Sequence, residues 1–171
     1  MNDNFTTFIG HEFLPNSFSE ADVSIKDIAH ALSRICRFNG HIKVFHSVAE
    51  HCVEVSRKAE LKGLKAEVQL YALLHDAAEA YLGDIPTPIK VLLKDYLQYE
   101  KQFEQVIFRR FGLVYISDKD YSAVKEIDKE VLYEEWKEYK ISGTNRNIAT
   151  DFNEIEALFL ARFNYLNGLI R

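Results

Sequence analysis

Apolar residues recur along the chain at the spacing of helices rather than the alternation of strands. Ile28, Leu32 and Ile35 share one side of a first predicted helix. It opens at Ser24, with Asp27 three positions on as a weak relative of the capping box, and runs toward Phe38-Asn39-Gly40. A second helix is predicted over residues 44–61, with Gly63 as its stop, and a third over 66–82, closed by Gly83. The segment Asp84-Ile85-Pro86-Thr87-Pro88 then reads as a stiff, extended turn, because each proline disfavours helix in the residue before it. Further helices are predicted over 96–111, with Phe103, Val106, Ile107 and Arg110 near one another, over 119–139 and over 151–166. Ser142-Gly143-Thr144-Asn145 marks the loop between the last two. The predicted fold is all-α, a single compact bundle of six to seven helices built from all 171 residues, since no repeat, low-complexity tract or linker divides them.

The informative positions are those where ionisable residues fall on faces that should be apolar. In the second helix His51 shares its inward stripe with Val44, Val48 and Val55. In the third, Tyr71, Leu74, Ala78 and Leu82 surround His75, Asp76 follows it directly, and Glu79 lies one turn on. In the 119–139 helix Asp128 has Val124 one turn before and Leu132 one turn after, with Tyr121 and Glu135 further along that face. Alone, an inward histidine is most often a hydrogen-bonded core residue, and an inward aspartate a cap or buried acceptor. An unpaired carboxylate in a core costs several kcal/mol, so it shifts its pKa or finds a partner. His51, His75, Asp76 and Asp128, drawn from three helices, satisfy one another by sharing a single cation. Two imidazoles with two carboxylates suit a divalent transition metal (Mn, Fe, Co, Ni or Zn) better than Mg or Ca, which prefer oxygen alone.

Composition narrows the partners. A net charge of −5 argues against broad affinity for polymeric nucleic acid, though not against one phosphorylated small molecule in a local basic pocket. No apolar run approaches the roughly 20 residues of a membrane span. The N-terminal stretch lacks the basic start and apolar core of a signal peptide. Cys36 and Cys52 lack metal-knuckle or redox spacing and read as small core residues, which fits a reducing, cytoplasmic setting.

These residues are similar to the pattern of the HD-domain phosphohydrolase superfamily: a His, then a His-Asp pair, then a distant Asp. The likeness is greatest to its bacterial and phage 5′-deoxynucleotidase branch. Val48-Ala49-Glu50-His51-Cys52 resembles the first ligand motif, and LLHDAAEAYLGDIPTPIK, from Leu73 to Lys90, resembles the most diagnostic block. Arg37-Phe38 resembles an Arg-aromatic pair that contacts nucleotide, and Asp128 in EIDKEVLYEEW matches the last ligand. Two departures stand out. Phe38 replaces a frequent Trp, and His46 occupies a place where related phage proteins often carry Tyr. The resemblance implies a metal-binding core over about 25–136 with the C-terminal helix packed on it.

It further implies that His51, His75, Asp76 and Asp128 hold one divalent metal, which acidifies a water, while Glu79 takes or relays the proton and Asp128 belongs to the catalytic set. Arg37 is expected on the phosphate, Phe38 on the base, Asp84 on the sugar 3′-hydroxyl with Thr87 assisting, and His46 on the substrate. His46 lies five residues before His51, which turns it off the ligand face. Lys90 is expected in solvent, His41 can be mistaken for a ligand, and His11 and His30 have no supporting pattern. The implied activity is hydrolysis of deoxynucleoside 5′-monophosphates to nucleoside and phosphate. The alternative is a dATP-like triphosphohydrolase, and a less favoured one is a non-catalytic sensing module. A homodimer or higher homo-oligomer is expected, partly because Phe152, Phe159 and Phe163 add more aromatic bulk than one small core needs.

Overall fold

A computed structural model describes residues 3–142 and 151–170, so the predicted loop at Gly143-Thr144-Asn145 lies outside the described residues. The chain begins with a short antiparallel ribbon, β1 (Phe5–Thr6) and β2 (Glu12–Phe13), too brief for alternation to register in sequence. The helices among the described residues follow in order: α1 (Ile25–Leu32), α2 (Val48–Leu61) and α3 (Ala66–Leu74), then the single-turn α4 (Glu79–Leu82) and α5 (Thr87–Lys90). The longer α6 (Lys94–Arg110), α7 (Asp118–Glu135) and α8 (Phe152–Ile170) complete the bundle. The all-α expectation holds.

Where boundaries differ from expectation, side chains explain why. Ser24 caps α1 by accepting from Lys26 N, but Asp27 plays no part in the cap; it accepts from Ile9 N at 2.9 Å and ties the N-terminal segment to the helix. α1 stops at Leu32, well short of Phe38. Ser33 Oγ and Arg34 Nη1 both fold back onto the His30 carbonyl, at 2.8 and 3.0 Å, and the chain then turns to pair Cys36 with Ser47. α2 starts at Val48 rather than residue 44 because Ser47 and Glu50 form a reciprocal capping box. Glu50 N donates to Ser47 Oγ at 3.1 Å, and Ser47 N donates to Glu50 Oε2 at 2.7 Å.

The predicted third helix is interrupted at the His75-Asp76 pair. Ala77 N donates to Leu74 O and Glu79 N to Asp76 O, both at 3.0 Å, so residues 75–78 wind in the tighter i→i−3 pattern before α4 begins. Past Pro86 the expected extended turn becomes a helical turn, since Pro88 in the first turn of α5 needs no amide donor there. α7 continues beyond Glu135 with π-helical winding from Trp136 to Ser142.

Ile28, Leu32, Leu70, Leu73, Leu74, Ile107, Ile127, Phe159 and Leu166 form the sealed centre. α2 packs chiefly on α3, α7 and α8, while α8 also covers α1 and α3. Of the aromatics that suggest a surplus in sequence, Phe159 and Phe163 are buried in this core and Phe152 meets Phe45 edge-on at 5.1 Å. Phe159 and Phe163 thus fill the chain's own interior, while Phe152 stays exposed. Arg162 fastens α8 to α2 and α3, with Nε on Ser56 Oγ at 3.0 Å, and Nη2 on the Ser56 carbonyl at 3.1 Å and Gln69 Oε1 at 2.8 Å. Arg110, expected beside the apolar face of α6, is exposed instead.

Candidate active site

Three elements aim four polar side chains at one small volume. α2 supplies His51, fully buried; the tight turn after α3 supplies His75 and Asp76; α7 supplies Asp128. The ligand atoms of His51, His75 and Asp76 all lie within 4.8 Å of one another. His51 Nε2 is 3.8 Å from Asp76 Oδ2 and 3.1 Å from Asp128 Oδ1. His75 Nε2 is 3.1 Å from the same Asp76 oxygen and 3.7 Å from the same Asp128 oxygen. Donors bound about 2.0–2.2 Å from one ion stand roughly 3.0–3.4 Å apart at adjacent positions, and up to ~4.2 Å across, so His51, His75 and Asp76 are spaced to hold a single cation, with Asp128 beside the two imidazoles.

The tautomers fit as well. His75 Nδ1 donates to the Ala72 carbonyl at 2.8 Å, which leaves Nε2 its lone pair; that Nε2 is buried and makes no hydrogen bond. His51 Nδ1 faces Glu135 Oε1 at 2.9 Å, so its Nε2 also turns a lone pair toward the cluster. Two imidazoles held in the ligand-competent tautomer, with two carboxylates beside them, fit a divalent transition metal.

The surrounding charges divide in two. Burial pushes the Asp128 carboxyl up, but its bond with His51 and its attraction to His75 outweigh this and hold it well below the usual carboxylate range. Asp76 is likewise held low against burial, by the charge of His75 first. Burial lowers the His75 pKa, yet the charge of Asp76 and the attraction of Asp128 keep it well above the ordinary imidazole value. Glu79 behaves oppositely. Burial, then the charges of Asp76 and Asp84, raise it well above its usual value, and its Oε2 is buried without a hydrogen bond.

Arg37 lies against the cluster, with Nη1 3.9 Å from Asp76 Oδ2 and Nε donating to Glu135 Oε2 at 2.9 Å. Phe38 follows in the left-handed region at φ 55°, a costly conformation for a residue with a side chain, and Asn39 shares it at φ 53°. The Arg37 guanidinium carbon is 5.5 Å from the Phe38 ring centre, and the Phe38 ring centre is 5.7 Å from that of Trp136. Asp84 is half-buried just after Gly83, close enough to Arg37 for their charges to shift its pKa; burial leads in raising it.

Not every expected site residue joins this group. Thr87 is exposed at the start of α5, with no contact to the cluster among the described residues. His46 is buried, and its Nε2 lies 2.9 Å from Glu135 Oε1, which places it behind His51 rather than in the well. Lys90, expected in solvent, is mostly buried and faces Glu79 at 3.5 Å and Glu100 at 2.6 Å. His11 pairs with Asp22, and His30 with Glu156. Leu132 is exposed, and the inward stripe of α7 runs instead through Val124, Ile127, Val131 and Glu135.

Glu135 is the residue whose role the sequence pattern does not disclose. It is 5% exposed and receives Arg37 Nε, His46 Nε2 and His51 Nδ1, each at 2.9 Å. Despite burial, the bonds from His46 and His51 hold its pKa far below normal, so it is an ionised acceptor that orients a ligand imidazole. Its signal in sequence is its position seven residues after Asp128, on the same helix face.

A helical bundle that gathers two imidazoles and two carboxylates, with an arginine and a buried carboxyl at their side, carries a group of side chains that could hold a metal ion. Residues 35–166, more than half of the chain, match the HD domain family, and the chain belongs to that family, whose members are in general metal-dependent phosphohydrolases. Among curated proteins it is 44% identical over 107 residues to the uncharacterized protein YfdR of Escherichia coli, covering 63% of this chain and 57% of the relative. It is 39% identical over 98 residues to an uncharacterized protein of Rhodobacter capsulatus, covering 54% of this chain and 50% of the relative. The chain thus spans about half the length of the curated relatives it matches. No helix among the described residues is long and apolar enough to cross a membrane.

Proposed function

We propose that the protein hydrolyses deoxynucleoside 5′-monophosphates to nucleoside and phosphate, using one divalent transition-metal ion held by His51, His75, Asp76 and Asp128. The observation that carries this reading is Glu79: a buried carboxyl with one unpartnered oxygen, one turn past His75 and beside the ligand cluster. When bound, the ion supplies Lewis acidity toward a phosphoryl oxygen and makes a water acidic enough to lose a proton near neutral pH.

The chain's own residues do the rest. Glu79 accepts that proton at Oε2, where no protein donor competes. Arg37 presents its planar guanidinium to the phosphate while Glu135 fixes its Nε end. Phe38 and Trp136 form an aromatic corner next to Arg37, suited to a base. Asp84 accepts from the sugar 3′-hydroxyl, and its carboxylate disfavours a 2′-hydroxyl. A cytoplasmic homodimer or higher homo-oligomer accompanies this reading.

Protein purified without chelator and assayed with dAMP, AMP and dATP tests it. Phosphate released from dAMP in preference to AMP is the expected product. Intact tripolyphosphate from dATP, with dAMP untouched, would overturn the monophosphate reading in favour of the triphosphohydrolase one. Glu79→Gln is expected to keep its metal by elemental analysis yet lose turnover by about 10²–10⁴-fold. Full activity in that variant would remove Glu79 from the chemistry.

A further inference from the structure

Lys90 closes α5, and its Nζ stands 3.5 Å from Glu79 Oε1 and 2.6 Å from Glu100 Oε1 on α6. All three side chains are withdrawn from solvent, Lys90 at 18% exposed, Glu79 at 6% and Glu100 at 15%. The ammonium also lies 5.7 Å from the centre of the Tyr96 ring, and Tyr96 donates its hydroxyl to the Gly83 carbonyl at 2.8 Å. Gly83, at φ 81°, is where the chain leaves the helix that carries Glu79. One helix, α6, therefore holds both ends of the segment between Glu79 and Lys90: Glu100 grips the ammonium, and Tyr96 grips the turn.

An ammonium has three donors. Here Glu100 takes one, Glu79 faces another and the Tyr96 ring covers the cation, so Lys90 is committed within the protein and not held out to a phosphate. Its nearer partner is Glu100, which keeps it from collapsing fully onto Glu79. The result is a carboxylate with one oxygen anchored beside a cation and the other left open.

We propose that Lys90, held in place by Glu100, is a positioning residue for Glu79, fixing its Oε1 so that Oε2 remains directed at the reacting water. The inference rests on the catalytic reading of Glu79 given above, and its test separates the two. Lys90→Met is made in the parent and in Glu79→Gln, with Lys90→Arg and the milder Glu100→Gln beside them. In the parent background Lys90→Met lowers kcat by roughly 10–100-fold, with KM for the deoxynucleotide and bound metal little changed. Also in the parent, Lys90→Arg retains part of the rate that Lys90→Met loses and Glu100→Gln loses a smaller part, whereas in the Glu79→Gln background Lys90→Met costs nothing further. A rise in KM with kcat retained would make Lys90 a phosphate contact, and equal losses in both backgrounds would show that it does not act through Glu79; either result overturns the proposal.

The second readout is urea denaturation of the parent, the two single variants Lys90→Met and Glu79→Gln, and their double variant, which needs no substrate. Lys90→Met strands a buried carboxylate and lowers the midpoint in the parent, whereas in the Glu79→Gln background, which lacks that acid, the drop is smaller, so the two changes are non-additive. Additive midpoints would break the proposed pairing whatever the activity. Non-additive midpoints in a protein that hydrolyses no nucleotide would uphold the pairing and remove the proposed function.

Discussion

Replacing Glu135 by glutamine tests the architecture behind the ligand cluster most directly, because the exchange keeps volume and removes only charge and one acceptor. In the parent, Oε1 faces two imidazole nitrogens, His46 Nε2 and His51 Nδ1, and Oε2 faces Arg37 Nε, all at 2.9 Å. An amide offers one oxygen in place of two. If that oxygen serves the imidazoles, the NH₂ confronts Arg37 Nε, donor against donor, and Arg37 keeps Asp76 at 3.9 Å as its carboxylate. If the amide flips, both imidazoles lose their acceptor and His51 loses what fixes its tautomer. Losing one partner of a buried ion pair costs about 3–5 kcal/mol, and Asp76 offsets part of this, so a loss of about 2–4 kcal/mol is expected in urea denaturation. Metal affinity, read by competition with a chromophoric chelator, should fall about 10–100-fold, as when a carboxylate behind a ligand histidine is removed. Glu134→Gln is the control: its side chain is 59% exposed and pairs with Lys58, so its loss should stay below about 0.5 kcal/mol. If Glu135→Gln matches that control in both assays, the carboxylate neither anchors Arg37 nor orients His51, and the reasoning fails.

Two further outcomes follow from buried polar groups away from the cluster. Burial, with the charge of Glu100 next, raises Glu104 to about 7 despite Lys125. The folded protein thus carries an unfavourable charge above pH 7 that is relieved as pH falls toward the ordinary value of 4.5. Glu104→Gln should therefore stabilise by about 1–3 kcal/mol at pH 8, discounted for partial exposure, and by almost nothing near pH 4.5. Equal urea shifts at both pH values would refute this. Arg162→Met keeps the buried stem but leaves Ser56 and Gln69 without their donor, so it should cost about 2–4 kcal/mol in the same assay; a loss under about 0.5 kcal/mol would mean α8 is held by its apolar face alone.

What can be read from sequence is what periodicity controls. His51, His75, Asp76 and Asp128 are legible as inward residues because helical spacing fixes a side chain's face whatever its chemistry. Their partners are not, because Glu135 meets His51 and Arg37 across 84 and 98 residues. No local pattern reports such a contact, although an acid seven residues after Asp128 invites the question. Lys90 escapes for the same reason: an exposed-looking lysine is buried only once α6 returns to cover it. The break at His75 is hidden because i→i−3 winding barely disturbs the order of faces, so apolar residues stay in phase through it. The true start of α2 is different, since Ser47 and Glu50 spell a capping box in four letters and the apolar stripe through Val44 merely obscures it.

The charges around the well also explain why so many ionisable groups can be withdrawn from water together. Asp76, Asp84, Glu79, Asp128 and Glu135 face two permanent cations, Arg37 and Lys90. Such an excess of negative charge in a partly buried site is unfavourable unless a cation is shared or protons are retained. The two remedies fall on different residues. Carboxylates that touch imidazole, namely Asp76, Asp128 and Glu135, are held below the usual range and stay ionised. Those farther along the well, Glu79 and Asp84, are held above it, by burial first. Lys90 is shared with Glu100 as well, so a divalent ion among the first set would offset two of the excess charges and leave the rest on groups whose pKa is raised. One buried site can in this way both bind a cation and handle protons, because two sets of the same side chain are pushed in opposite directions.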